Sequence, residues 1–336
     1  MATSGTVGQF SVDTTTVIEH AFRRCGKLAS TISAELQLSA KENLFFLLSD
    51  LANRGISLWC IQKQILAVTP NQIMFTMPTG TVDVLTTLYR TKTDLTGSTI
   101  SGAGWQGLDL GSAGADSVYS VTLAFTAATT PTVVLESSTD NITWATVTTV
   151  TSGVALAAGA LVCADADNAT TAQYWRVRDT SGVLPAVATL TFSVDPIEVP
   201  MAKLSNDDYV SLPDKSRTVP VGSKSLQFWY DKQITPRIWI WPASQGAVDQ
   251  IVVWTHRQIQ DVGALTNTLE IPQYWLESII FSLAARCALE LPSGELPAGR
   301  YEMLKAEAAE SLAQAEDSQS DGSPMRISPR IACYSR

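Results

Sequence analysis

The stretch TVVLESSTDNITWATVTTV, Thr132 to Val150, decides how this chain is read. Two runs rich in β-branched residues flank a polar Ser-Ser-Thr-Asp-Asn turn, the pattern of one strand returning beside another. The same texture extends in both directions, from about Leu95 to Val194. That region has few charges, no helical period, and abundant Thr, Val, Ala, Ser and Gly. Val118–Phe125, Tyr174–Val177 and Ala188–Val194 are further alternating runs. Short strands at a spacing of roughly ten residues predict a small antiparallel all-β sandwich, immunoglobulin-like or jelly-roll, over residues 96–196.

Outside this region the pattern is different. Asp13 and Thr14–Thr16 offer N-caps to a helix on which Ile18, Phe22, Cys25 and Ala29 recur at helical spacing. Ser39-Ala-Lys-Glu42 reads as a capping box ahead of an apolar stripe of Leu44, Leu47, Leu48 and Leu51, with Gly55 placed to close the helix. Trp59–Val68, Ile73–Met77 and Val82–Arg90 read as strands separated by Pro-containing turns. After Asp195-Pro196 come strand-like runs over Arg237–Trp241 and Gln250–His256. Pro272 then begins a helix whose Trp275, Ile279, Leu283 and Cys287 share a face, and Pro297 opens a last helix to about Asp317. The expected fold class is therefore α+β. Residues 1–95 and 197–318 form one discontinuous body, about four helices in a bundle with a small β part. Residues 96–196 are an inserted all-β domain, and 319–336 an extended C-terminal arm.

Composition narrows the function. Of 336 residues, 45% are hydrophobic and only 16% charged, enough apolar material for real cores and too little charge for a disordered chain. So low a charge density, with nine Trp, suggests that some surface is covered by other chains. A net charge of −9 without a lysine-rich tract argues against tight binding to a nucleic-acid backbone. No apolar run is long enough to cross a bilayer, and Met1–Val12 lacks the features of a secretory signal. The five cysteines are odd in number and lack metal-ligand spacing, which reads as free thiols in a reducing cytoplasm.

No nucleophile elbow, phosphate-binding loop, dinucleotide fingerprint or zinc motif is present, so no catalytic residue, cofactor site or metal site is assigned and the chain reads as a non-enzyme. His20 and His256 have no motif-spaced partner. Asn206-Asp207-Asp208-Tyr209 reads as the cap of a short helix rather than a carboxylate pair. Asp165-Ala-Asp167-Asn168 resembles the opening of a calcium loop but lacks its glycine and distal glutamate, so it reads as a turn. Asn141 and Asn168 match glycosylation acceptors and, without a secretory route, are turn residues.

The last fifty residues carry more information. Glu302, Glu307, Glu310, Glu316 and Asp317 make the final helix acidic against one Lys305. The tail places Met325, Ile327, Ile331 and Tyr334 among Arg326, Arg330, Pro324 and Pro329. Such a tail suits an extended arm docking on a neighbour, and equally a disordered terminus.

In sequence order, the flanks resemble the head-to-tail adaptors, or tail accessory factors, of short-tailed phages. The residues that carry the resemblance are Val17–Leu28, Lys41-Glu42-Asn43-Leu44 to Leu51, Gly55-Ile56-Ser57-Leu58-Trp59, Leu66-Ala67-Val68-Thr69, Met77-Pro78 and Val82-Asp83-Val84. After the middle region come Leu204-Ser205-Asn206-Asp207-Asp208-Tyr209, Trp239-Ile240-Trp241-Pro242, Ile271-Pro272-Gln273-Tyr274-Trp275, and Ala306 to Asp317 with Ile327-Ser328-Pro329. The resemblance covers about two thirds of the chain, everything except 96–196. It implies a virion protein of the head–tail junction, made in the host cytoplasm, with twelve copies forming a ring under the portal. The ring would extend the DNA channel, retain packaged double-stranded DNA without reading its sequence, and offer a surface to the tail nozzle and fibres. It also implies that Met325, Arg326, Ile327, Pro329, Arg330, Ile331 and Tyr334 form a portal-docking arm. Glu302, Glu307 and Glu310 become candidates for a channel wall that does not hold phosphates. Glu136 to Trp144 and Tyr174 to Arg178 look like carbohydrate-binding or immunoglobulin-like sandwiches, in which such tryptophans pack the core. The alternative function is therefore a carbohydrate- or capsid-binding module, and a more distant one a cell-wall hydrolase.

Overall fold

The structure, a computed structural model, describes residues 12–54, 60–90, 98–102, 104–114, 117–168, 172–182, 187–194, 196–215, 217–219, 224–245, 249–259, 262–292 and 295–319. The fold is mixed α+β and mostly β. Its helices are α1 (Thr14–Cys25), α2 (Ala34–Arg54), α3 (Asn206–Val210), α4 (Leu276–Ala288) and α5 (Arg300–Gln319). The strands of the first part are β1 (Ile61–Val68), β2 (Met74–Thr76) and β3 (Thr81–Arg90). The middle segment adds β4 (Ser98–Gly102), β5 (Trp105–Gly114), β6 (Ser117–Phe125), β7 (Thr132–Ser138), β8 (Ala145–Ser152), β9 (Leu161–Asn168), β10 (Ala172–Asp179) and β11 (Val187–Val194). Behind it follow β12 (Glu198–Pro200), β13 (Ala202–Leu204), β14 (Thr218–Val219), β15 (Gln227–Asp231), β16 (Arg237–Trp241), β17 (Ala243–Ser244) and β18 (Asp249–Arg257).

Two compact units result, one of Met1–Cys60 with Gln258–Arg336 and one of Ile61–Arg257. These divisions fall elsewhere than the 95 and 197 expected from composition, because the strands flanking the middle segment group with it.

In the helical unit, the Asp13 carboxylate accepts the Thr16 amide at 3.3 Å and Gly26, at φ 94°, ends α1. Helix α1 buries Val17, Ile18, Ala21, Phe22 and Cys25 against α4, whose Trp275-side entry, Ile279, Leu283 and Cys287 form the expected face. Helix α2 starts earlier than the Ser39 capping box predicts. Ser33 Oγ accepts the Leu36 amide at 3.3 Å, and Ala34-Glu-Leu-Gln-Leu are all good helix formers, so the helix nucleates there. Ser39 is left inside the helix and donates instead to the Glu290 carboxylate. Leu44, Leu47, Leu48 and Leu51 are buried as the stripe requires.

Among the described residues, the β unit contains four sheets of three or more strands: β1-β18-β3-β12, β13-β15-β16-β2, β11-β6-β9 and β4-β5-β10-β7-β8, besides the pair β14-β17. The first two share an apolar core of Val68, Tyr89, Ile251 and Val253 with Phe75, Phe228, Ile238 and Ile240. The last two share a second, in which Tyr119, Val121, Leu123 and Phe125 meet Val133, Leu135, Trp175 and Val177. The Tyr119 and Trp175 rings stack at 3.9 Å.

Between these cores lies a polar layer, and strand alternation creates it. On β6 the odd-numbered residues enter the second core, so Ser120 and Thr122 point the other way. On β18 and β3, Ile251 and Tyr89 enter the first core, so Gln250 and Arg90 point toward them. Gln250 Nε2 donates to Ser120 Oγ and Thr122 Oγ1, both at 2.8 Å. The Arg90 side chain is 3% exposed and donates to Asp165 at 2.8 and 2.9 Å and to Glu198 at 2.9 and 2.6 Å. Lys63 reaches the same Asp165 carboxylate at 2.8 Å from β1. A buried cation is tolerated because its planar fork is met by acceptors from two directions.

Replacing Arg90 by Met leaves Asp165 short of its buried partner and should cost about 3–5 kcal/mol in urea-induced unfolding. Lys63→Ala, at the 29% exposed rim of the same cluster, should cost less than about 1 kcal/mol. Equal effects would show that Arg90 does not hold the layer.

Candidate functional site

The acids predicted on the last helix come out on its solvent side. Leu304 and Ala315 of α5 are buried and Tyr301, Ala308 and Leu312 pack beside them, so Glu302, Glu307 and Glu310 are exposed together on the opposite surface with Asp317. Gln314 Nε2 donates to Glu310 at 3.4 Å. The proposed arm residues Met325, Arg326, Ile327, Pro329, Arg330, Ile331 and Tyr334 lie outside the described residues. Composition did not reveal the outer surface of α2, where Leu38 is 59%, Phe45 45% and Phe46 56% exposed. The two phenylalanine rings are 5.8 Å apart. Uncovered apolar side chains grouped on one helix are the usual sign of a protein-facing surface.

A second surface lies on the side of the five-stranded sheet turned away from its core. Trp175 and Val177 of β10 point inward, which places Arg176 and Arg178 outside beside Glu136 of β7, the register partner of Arg176. Glu136 accepts Arg176 Nε at 2.6 Å and Arg178 Nε and Nη2 at 3.0 and 2.8 Å. Burial alone would raise the Glu136 pKa, but the hydrogen bonds from Arg178 and Arg176 hold it below the usual carboxylate range. The Arg176 guanidinium lies 4.0 Å over the Trp144 ring and 5.2 Å from that of Trp105, and the two rings are 6.1 Å apart. Trp175 thus packs the core as expected. Trp144 does not: it follows a turn rather than an inward strand position, and it lies half-buried on the outer face. Trp105 was missed, along with β4 and β5, because Gly102, Gly104 and Gly107 interrupt any alternation around it.

The turn that presents Trp144 is built around Asp140. Its Oδ1 accepts the Thr143 amide at 2.8 Å, the Ile142 amide at 2.9 Å and Ser138 Oγ at 2.9 Å, while Asn141 adopts φ 58°. These donors, the Thr143 amide foremost, hold the Asp140 pKa down at about 2. Ile142 is left 83% exposed at the tip.

Other candidates resolve simply. Asp165 is in strand β9 rather than a turn, and its carboxylate is engaged by Arg90 and Lys63, which removes it from any calcium loop; the side chains of Asp167 and Asn168 lie outside the described residues. Ser205 and Asp208 make a reciprocal capping box on α3, as the Asn206–Tyr209 reading requires. His20 is exposed on α1 and His256 is buried at the end of β18.

Asp140→Ala should loosen the turn at neutral pH. Because the folded pKa is depressed from 3.8, the stabilisation exists above that value and is lost as pH falls through about 2. Thermal melts should therefore show a gap between wild type and variant that closes on acidification across this window. A gap independent of pH would refute the assignment.

No protein-family model and no curated protein matches this chain. Among solved structures, it is similar to a mutant of chitosan-binding module 1 from a chitosanase/glucanase of Paenibacillus sp. IK-5, at 21% identity over 40% of this chain and 95% of that one, with a TM-score of 0.19. It is also similar to the T13 viral particle protein of IBDV, at 10% identity over 75% of this chain and 53% of that one, with a TM-score of 0.16. With scores this low, what those proteins bind or build does not transfer to this chain.

Proposed function

We propose that the chain is a structural assembly subunit, the head-to-tail connector of a short-tailed phage, docking as a ring of copies under the portal. Its helices form the bundle of that adaptor, and 96–196 form an inserted β-sandwich. The observation that carries the reading is the uncovered apolar surface of α2, with Phe45 and Phe46 half-exposed side by side, which a neighbouring copy would cover. The ordered resemblance of both flanks to the adaptor family supports it, as does the acidic outer surface of α5, which suits a conduit along which DNA slides. The tail with Ile327 and Tyr334 is assigned to the portal.

A second reading, a carbohydrate-binding module, is favoured by one observation: Trp105 and Trp144 are set partly exposed on the outer sheet face rather than in a core.

Mixing the chain with its cognate portal should give a defined ring complex by native mass measurement, and no complex would refute the connector. Phe45→Glu with Phe46→Glu should leave the monomer folded and abolish the ring. Particles carrying Glu302→Lys, Glu307→Lys and Glu310→Lys together should assemble but eject DNA more slowly, most of all at low salt. Unchanged ejection kinetics would remove these acids from the channel wall.

A further inference from the structure

We propose that the outer face of the five-stranded sheet binds an acidic polysaccharide, one whose sugar rings carry carboxylates. The assignment rests on the carbohydrate-binding reading and names its ligand class.

Two features of the face point there together. The first is a pair of aromatic planes. Gly102 has no side chain, and the Trp105 ring occupies the space its Cβ would take, so this indole lies down on the sheet. Trp144 is fixed beside it by the Asp140 turn, a position set before any ligand arrives. Partly exposed indoles 6.1 Å apart offer an aromatic platform for the apolar C–H face of a sugar ring.

The second feature is unused cationic donors. Glu136 takes the Nε of both arginines and one Nη of Arg178. Among the described residues, the two terminal nitrogens of Arg176 and Nη1 of Arg178 have no hydrogen-bond partner. Two guanidiniums face one carboxylate in this cluster, and the ionised Asp140 and Asp109 offset that excess over the face as a whole, so recognition falls to the free N–H groups rather than to net charge. A planar fork with free N–H groups recognises a carboxylate in two-pronged fashion. Ring stacking with a carboxylate at fixed reach describes a uronate better than a neutral sugar. A face without net positive charge is too weak to hold a polyphosphate backbone, which disfavours nucleic acid. Asp109, farther along the same face, accepts from Gln173 Nε2 and the Gly111 amide, both at 2.8 Å, and keeps its negative charge.

The test is affinity electrophoresis of the full chain through gels containing alginate, polygalacturonate or dextran, with tryptophan emission followed during titration of soluble polygalacturonate. The expected result is retardation by the two uronates and not by dextran, with a change in emission. Arg178→Ala, whose side chain is 35% exposed and whose loss leaves Glu136 paired to Arg176, should weaken uronate binding roughly ten- to a hundred-fold with an unchanged melting temperature. Trp105→Phe should weaken it less. Retardation by dextran alone would overturn the acidic class while leaving the carbohydrate-binding reading standing. No retardation by any of the three would overturn both. Stronger retention by double-stranded DNA, or equal binding by wild type and Arg178→Ala, would also overturn the proposal.

Discussion

The guanidinium of Arg90 is the point on which the β unit depends. It stands at the end of β3, where the chain leaves for the middle segment, and it is met by Asp165 from inside that segment and by Glu198 where the chain returns. One buried cation thus fixes three places distant in sequence. The layer around it is closed by amide–hydroxyl hydrogen bonds from Gln250. Apolar contacts tolerate small slips, whereas a hydrogen-bonded fork and an amide do not, so this layer sets the relative position of the sheets on either side. The two apolar cores supply the bulk of the stabilisation, and the polar layer supplies the alignment.

Rigid alignment has a consequence for the outer sheet. The Trp105–Arg176–Trp144 stack is two layers out from Arg90, and its geometry is inherited through the Trp175–Tyr119 contact in the second core. A recognition surface held on strands in this way loses little freedom on meeting a ligand. The helical unit follows a different principle. Its core is apolar and continuous, and α2 keeps two phenylalanines outside it, a local excess of hydrophobic surface beyond what that core consumes.

Much of this was legible in the residues. The leucine stripe of α2, the Trp275–Cys287 face of α4, the cap at Asp13 and the strands β3, β16 and β18 follow from periodicity and capping chemistry alone. Three things were not legible. The start of α2 was misplaced because Ser39 and Glu42 satisfy a capping pattern wherever they stand, and only the partner Glu290, far away in sequence, shows that Ser39 is mid-helix. Strand β5 was hidden because glycine carries no hydropathy signal, although Gly102 is what lets Trp105 lie flat. Asp165 read as a plain turn residue because its two cations, Lys63 and Arg90, come from strands about a hundred residues earlier or less, and no local pattern encodes them. The acids of α5 are exposed because Leu304, Ala308, Leu312 and Ala315 occupy the one apolar side of that helix.

Glu198 and Arg90 are direct partners in the antiparallel pairing of β12 with β3. The chain therefore leaves the sheet and re-enters it at neighbouring positions, so a short hairpin turn could bridge them with the whole middle segment removed. The face of the remaining scaffold that such a removal would uncover carries Gln250 and Arg90, groups that water can satisfy, with the fully buried apolar Val252 beside them. The joint has the character of a graft site: one scaffold could exchange this appendage for another that covers Val252 in its turn.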